Sequence, residues 1–422
     1  MTRGKTAGKA AGVRMTPTRT GTRFRYLWMA TGATNLADGI VQISLPLLAT
    51  RITESPGAVA GVGAALTLPW LLFALPVGAL ADRLDRRLMM LGANGLRVFA
   101  VALLATLVAV EAMALPVLYL AAFAMGLAEV VADTSAQAIL PAIVPARRLD
   151  RSNARLFGTQ TLMNRFVGPP LAGVLAGVSL ALALSTGAWL YLAALPLLVL
   201  MRGTFRPQVT GRLRLRRDVG DGLRFLWDHR LLRTLGIIVL VMNTGWGAWL
   251  SIIVLFAVEP GPMNLSSGGY GLLLAAMGIG GLIGTLIAVP IQQLIGSRWA
   301  ICADILGTVT MLGIPALTAN LWVIGGSIII GGAGATMWGV VVTSIRQQAV
   351  PDALLGRVGS AFRLFGYSGS TLGALVAGVI AELAGLRPVF ATTAALSLLL
   401  LIPFFTIVTN EALAAARSGS RP

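Results

Sequence analysis

Cysteine occurs once in these 422 residues, at Cys302, and histidine once, at His229. A lone cysteine excludes an intrachain disulfide, leaves the redox compartment open and reads as a small buried apolar residue. His229 lies among charged residues in a loop and reads as solvated rather than as a ligand. No metal-ligand cluster, phosphate-binding loop or nucleophile with its base is present, so enzymatic chemistry and ATP hydrolysis have no footing. Neither a metal nor a cofactor is expected. Acids are scarce as well, 16 against 33 lysines and arginines, and charged residues make up only 12% of the chain.

Apolar side chains fill that space. The chain is 56% hydrophobic with mean hydropathy +0.82. Its charges are bunched between runs of about twenty apolar residues, the length that crosses a bilayer as a helix. This is the composition of an integral membrane protein. The net charge of +17 and pI near 11.6 invite a nucleic-acid partner, but such a partner needs a basic face on a folded soluble surface. With no soluble domain to carry one, no nucleic-acid partner is expected.

Apolar runs bounded by charge, proline and glycine predict helices near 26 to 50, 59 to 80, 88 to 110, 115 to 138, 158 to 180 and 183 to 201. Six more fall near 234 to 257, 269 to 290, 299 to 318, 321 to 344, 361 to 384 and 389 to 409. The boundaries are a basic tail 1–25, a six-helix bundle 26–201, a central loop 202–233, a second six-helix bundle 234–409 and a tail 410–422. The tail 1–25 holds seven basic and no acidic residues, and the apolar run after it is too long for a signal peptide, so it reads as a retained first helix. Nearly all basic residues fall in alternate loops, with Arg51 and Arg387 alone on the other side. That is the positive-inside pattern, and it places both termini and the central loop, with its nine arginines, in the cytoplasm. Asp218 to Arg233 is expected to form an amphipathic surface helix.

The halves repeat. Ala172-Gly173-Val174-Leu175-Ala176 recurs as Ala377-Gly378-Val379-Ile380-Ala381, Arg155-Leu156-Phe157-Gly158 as Arg363-Leu364-Phe365-Gly366, and Asn35 corresponds to Asn243. Near-constant offsets of this kind mark parallel repeats in transporters. Glycines crowd helix eight at Gly271, Gly278, Gly280, Gly281 and Gly284, and helix eleven at Gly366, Gly369, Gly373 and Gly378. Such glycines let backbones approach closely and slide.

Between helices two and three lies Gly78-Ala79-Leu80-Ala81-Asp82-Arg83-Leu84-Asp85-Arg86-Arg87. Gly78 is expected to let two helices approach, Asp82 suits a helix end, and Arg83, Arg86 and Arg87 hold the turn at the membrane surface. The stretch resembles the loop signature of the major facilitator superfamily, Gly-x3-Asp-Arg-x-Gly-Arg-Arg, with Asp85 in place of the second glycine. The resemblance implies an all-α integral membrane fold of twelve transmembrane helices in two pseudo-symmetric six-helix bundles. A substrate site would lie between them near the bilayer midplane, opened alternately to each side.

Carboxylates inside the membrane cost about 3 kcal/mol each on insertion scales, so each needs a partner, water or a proton. Asp38 lies near the middle of helix one, which lines the cavity in the fold this chain resembles; its repeat counterpart is Trp246, and no duplicated cation neutralises it. Desolvation disfavours the charged form, which suits Asp38 to loading and releasing a proton. Glu129 lies one turn before Asp133 on the same face of helix four. Glu129 reads as a second proton carrier or as the partner of Arg97, and Asp133 as a gating partner of the hinge arginines, a role the resemblance implies. Arg97, taken as the single mid-helix cation, and Asp304 lie on outer helices three and nine and read as structural.

Gly168-Pro169-Pro170-Leu171-Ala172-Gly173 interrupts helix five, because proline removes a backbone donor. It resembles the Gly-Pro-x-x-Gly-Gly antiporter motif, with Ala172 for one glycine and Asn164 where another is usual. That resemblance favours efflux. Ala122 stands where drug exporters place an arginine in helix four. Over its length the chain most resembles the branch of macrolide efflux proteins and the enterobactin exporter, through Asp221-Gly222-Leu223-Arg224-Phe225-Leu226-Trp227-Asp228-His229-Arg230-Leu231-Leu232-Arg233 and Val350-Pro351-Asp352-Ala353-Leu354-Leu355-Gly356-Arg357-Val358. Candidate cavity residues on the inner helices are Asn35, Gln42, Met125, Asn164, Met242, Asn243, Trp246, Trp249, Met337 and Trp338. Amide, methionine and aromatic side chains suit a bulky, partly apolar ligand.

The leading expectation is proton-coupled efflux of a small amphipathic compound, such as an antibiotic or siderophore, by a monomer in a bacterial cell membrane. Its partners are that small molecule, protons and the lipid bilayer. Proton-coupled uptake, or a non-transporting sensor or assembly partner acting through loop 202–233, are the alternatives.

Overall fold

The computed structural model describes residues 17–145, 148–203, 205–206 and 215–418. These form α1 Pro17–Ile52, α2 Pro56–Ala81, α3 Arg86–Ala109, α4 Leu115–Ile143, α5 Leu149–Thr161, α6 Gly168–Val178, α7 Leu180–Leu200 and α8 Leu215–Asp228 in the first half and linker. The second half comprises α9 Arg230–Ala257, α10 Ser267–Leu317, α11 Leu321–Ala349, α12 Asp352–Ala384, α13 Leu386–Leu398, α14 Leu401–Ile407 and α15 Asn410–Ser418.

Among the described residues, nine helices are long and apolar enough to cross a membrane. One of them, α10, is two helices joined at Gly296, whose φ of +82° suits glycine. The polar α1 and the broken pair α5 and α6 complete twelve crossings. Several helices start at side-chain caps: Ser55 accepts from the Ala58 amide, Ser266 from Gly269, and Asn320 from Trp322 and Val323. His229, expected to be solvated, begins α9 through its Nδ1, which accepts from the Leu232 amide at 3.4 Å.

Element boundaries differ most from the expected ones in four places, one of them helix eleven, which begins at Asp352 rather than near 361. Helix one already begins at Pro17, inside the stretch expected to be a tail, and residues 1–16 lie outside the described residues. Helix five begins at Leu149, because the polar run through Arg155 is helical before it turns apolar. The surface helix covers Leu215–Asp228 rather than Asp218 to Arg233, with Arg230 onward belonging to α9.

The hinge between α2 and α3 and the start of α9 lie at one end of the bundle, here the basic end. At the opposite end one apolar core runs through both halves, joining Leu45, Val59, Ala172 and Leu180 to Ile252, Tyr270, Ala377 and Phe390. Toward the basic end the core divides into separate clusters. One cluster, with Leu27, Ile139 and Leu198, belongs to the first half, and another, with Leu235, Ile301, Val341 and Phe404, to the second.

Two glycine contacts seal the shared end. A Cβ on Gly173 of α6 would lie 2.9 Å from the Gly271 Cα of α10, and one on Gly378 of α12 would lie 3.1 Å from the Gly57 Cα of α2. Gly173 and Gly378 are the central residues of the repeated Ala-Gly-Val segment, so the duplicated sequence marks the two seams between the halves. The Glu382 carboxylate on α12 accepts the Ser55 hydroxyl at 2.9 Å and the Gly57 amide at 3.0 Å. Deeper along the seam, the Thr371 hydroxyl donates to that of Thr67 at 3.0 Å, and Trp70 stacks on Tyr367 with centroids 4.0 Å apart and planes 7° from parallel. Gly78 departs from expectation: nothing lies within 4 Å of a Cβ placed there, so it mediates no close helix approach.

Candidate functional site

Helices α1, α3 and α7 bring three polar side chains together inside the first half. The Tyr191 hydroxyl donates to Asp38 Oδ1 at 2.5 Å, Arg97 Nη2 lies 3.4 Å from the same oxygen, and the guanidinium sits 5.2 Å from the Tyr191 ring centroid. Asp38 is 7% exposed and Arg97 1%. The expectation that no cation neutralises Asp38 is therefore corrected. Its partner comes from the neighbouring helix α3 rather than from the repeat. Arg97 pairs with Asp38 and not with Glu129, since Asp38 is the acid within reach of its guanidinium.

Glu129 and Asp133 flank this cluster from α4. Glu129 is half-buried and lines a cleft with Asp38, Gln42, Met125 and Tyr191. The Trp70 indole faces its carboxylate. Among the described residues no cation lies within ion-pair distance of Glu129. Asp133 lines a second cleft with Asn35, Asn94 and Arg97. Its electrostatic neighbours are Arg97 and Asp38, which corrects its assignment to the hinge arginines. The hinge arginine Arg86 reaches α4 only at the Ala138 carbonyl, about 7.5 Å beyond Asp133 at the helical rise.

The hinge arginines bind helix ends instead. Arg86 donates to the Ala138 carbonyl at 2.6 Å and the Ala81 carbonyl at 3.0 Å, and lies 3.8 Å from Asp82. Arg87 donates to the carbonyls of Leu198 and Val199 at 2.7 and 2.6 Å. Asp85, the departure from the loop signature, caps α3 by accepting the Arg87 and Leu88 amides and also accepts the Phe205 amide at 2.9 Å. Arg206 donates to the Arg83 carbonyl at 3.0 Å. A glycine at position 85 could make none of these contacts; the substitution ties the hinge to the start of the linker.

Helix five breaks as Pro169 and Pro170 require, through a π-helical turn at Leu162–Val167. Gly168 packs on Gly39 of α1, where a Cβ would come within 2.7 Å of the Gly39 Cα. The same turn carries Arg165, a second mid-helix cation that the sequence reading passed over. Its signal was available: an arginine three residues before Gly168, inside an apolar run. Tyr191 and the Trp70–Tyr367 stack were also missed, because nothing local separates them from packing aromatics.

The candidate cavity residues divide. Gln42, Met125 and Asn35 line the two clefts. Asn35 donates to the Thr31 carbonyl at 2.9 Å, and its repeat counterpart Asn243 does the same to Val239 at 2.8 Å. Asn164 touches Gly39 through its backbone oxygen. Trp249 is fully buried in the shared core, Met242 and Met337 are buried in the second-half core, and Trp246 and Trp338 pack on the margins of these cores. For these five the apolar character serves packing.

Known proteins share this architecture. The chain is 27% identical over 411 residues to the multidrug efflux pump Tap of Mycolicibacterium fortuitum, covering 92% of this chain and 95% of that protein. It is 27% identical over 374 residues to Tap of Mycobacterium tuberculosis, covering 84% and 85%. Among solved structures, the nucleoside transporter NupG superposes with a TM-score of 0.72 at 15% identity, covering 91% of this chain and 98% of that one. The model of the transmembrane secretion effector family matches residues 13–420. With the twelve-crossing two-bundle fold and the hinge signature, this match assigns the chain to the transmembrane secretion effector family of the major facilitator superfamily, a multi-pass membrane transporter of small molecules.

Proposed function

We propose that this protein is a proton-coupled exporter of a small amphipathic compound, working by alternating access with its termini and basic end in the cytoplasm. The observation that carries the reading is the single core shared at the opposite end and the divided cores at the basic end. Two rigid halves sealed at one end can rock about glycine seams to open that end and close the other. Export is supported by the relatives named as efflux pumps and by the broken helix five at Gly168, Pro169 and Gly173.

Glu129 carries the proton in this reading. A carboxylate without a cation partner inside a bundle is stabilised by taking up a proton, and Glu129 has none, whereas Asp38 is held by Arg97 and Tyr191. Asp38 and Asp133 set the field in which Glu129 loads, Gln42 and Met125 contact cargo, and the hinge from Asp82 to Arg87 limits the swing. A membrane potential supplies about 2.3 kcal/mol per charge per 100 mV.

The test is proton movement in liposomes holding purified protein, challenged with macrolides, dyes and siderophores, beside Glu129→Gln and Asp38→Asn. Flux triggered by a compound in the wild type and lost in Glu129→Gln is the expected result. Undiminished flux in that variant would sink the assignment of the proton to Glu129.

A further inference from the structure

Proline at positions 169 and 170 leaves the Arg165 and Phe166 carbonyls without the amide four residues on, and the Gly168 amide turns to the Met163 carbonyl instead. The freed Arg165 carbonyl faces the seam: a Cβ on Gly278 of α10 would come within 2.7 Å of it and 3.0 Å of the Phe166 ring. Arg165 is thus fixed at the boundary between the halves. It stands about 14 Å from Leu156, where the helix turns apolar, and about 20 Å from Val178 along the helical rise, close to mid-membrane.

Its side chain is exposed although it lies deep in the protein, and its electrostatic neighbour is Tyr367 of the second half. It therefore points into the space between the halves. Among the described residues no carboxylate lies within ion-pair distance of it. Asp38 is occupied by Arg97 and Tyr191, Glu129 faces Trp70, and Asp133 lies beside Arg97. Arg363 of α12 also acts on Tyr367 and adds positive charge to the same space. A mid-membrane arginine without a protein counter-ion is a functional site by default.

We propose that Arg165 anchors the acidic group of the transported compound, so that the cargo is an amphipathic organic carboxylate. This rests on the transport reading above and names its substrate class. A guanidinium presents a planar fork that matches a carboxylate through two parallel hydrogen bonds. Tyr367, half-buried and backed by Trp70, offers one apolar ring beside it for a ring or chain. A cationic cargo would meet Arg165 and Arg363 with like charge.

The experiment measures binding of 1-pyrenebutyrate, its methyl ester and 1-pyrenebutyl-trimethylammonium to the purified full chain in phosphatidylcholine nanodiscs, by fluorescence anisotropy. The carboxylate is expected to bind at least tenfold more tightly than the ester. Arg165→Gln should erase that preference while leaving ester binding unchanged, and Arg165→Lys should keep part of it. Repeating the titration with phosphatidylglycerol in the disc separates cargo from lipid: a site taken by the headgroup would lose its carboxylate preference there, and that result overturns the proposal. So would equal binding of carboxylate and ester by the wild type, no saturable binding of either, or a preference that survives Arg165→Gln. Binding needs no proton gradient, so a carboxylate preference without any transport would sink the exporter reading and leave this site standing. Transport of neutral or cationic compounds without the preference would do the reverse.

Discussion

Replacing Arg97 with methionine would leave the Asp38 carboxylate buried with Tyr191 as its one remaining polar partner. The two ions lie 3.4 Å apart and both are almost wholly shielded. Opposite charges at that separation attract by about 5 kcal/mol at an effective dielectric near 20. Desolvation of both groups offsets much of that attraction, so the pair adds little net stability, but removing one partner strands the other at a cost of about 3–5 kcal/mol. Arg97→Met is expected to lose that amount. Adding Asp38→Asn should recover at least half, because the Asn carbonyl still accepts from Tyr191 and no buried charge remains. The assay is denaturant unfolding in mixed micelles, followed by tryptophan fluorescence for the wild type, both single variants and the double. A loss below about 1 kcal/mol in Arg97→Met, or losses that add within about 0.5 kcal/mol, would refute the buried pair as the organising contact of this half.

Gly271→Val should cost roughly 1–3 kcal/mol of overpacking, since even its Cβ would lie 2.6 Å from the Pro169 carbonyl and 2.8 Å from the Gly173 Cα; thermal melting and spin-label distances across α6 and α10 would read the wedge. Glu382→Gln removes the anion that caps α2 from the other half. Labels at Glu54 and Arg387 are expected to report a larger population of widened distances, and an unchanged distribution would show that the glycine seams alone close that end. Asp85→Ala should cost about 1 kcal/mol for the lost cap and free the linker at Phe205, seen as faster amide exchange at residues 205 and 206. Exchange unaltered there would deny that Asp85 tethers the linker.

Twelve crossings were legible because bilayer thickness sets segment length directly, and Gly271, Gly278, Gly280 and Gly284 of helix eight and Gly369, Gly373 and Gly378 of helix eleven were legible because close backbone approach admits few other residues, whereas Gly281 and Gly366 meet only side chains. Gly173 and Gly378 show this best: a repeated pentapeptide proved to be the contact point between halves. Pairings across helices were not legible. Asp38 and Arg97 are joined because α7 packs against both α1 and α3, and no local pattern encodes which cation reaches which acid. Asp133 was assigned to the hinge arginines through a resemblance, which does not say which cation its side chain lies beside in this chain. Trp249 and Met337 were misread because an aromatic or methionine suits a core as well as a cavity. Asp85 was noted only as a departure from the signature, whereas it exchanges a turn glycine for a cap and a tether. Arg165 was visible and was overlooked beside a more conspicuous proline pair.

The duplication conserved mechanics and let chemistry diverge. Both halves keep the back-bonded asparagine, Asn35 and Asn243, and both supply the glycine of one seam. The polar groups are distributed unevenly. The first half holds Asp38, Arg97, Glu129, Asp133 and Arg165, while the second places Trp246 where Asp38 has its counterpart and keeps the buried Asp304 on α10. It contributes Tyr367, stacked on Trp70, at the point where the charged half meets the other. The Trp70 indole faces Glu129, so a change of charge on that carboxylate acts on a ring already in contact with the second half. In the proposed cycle the seams are where the halves rock, and the charge concentrated in the first half is where a proton and a cargo bias the motion.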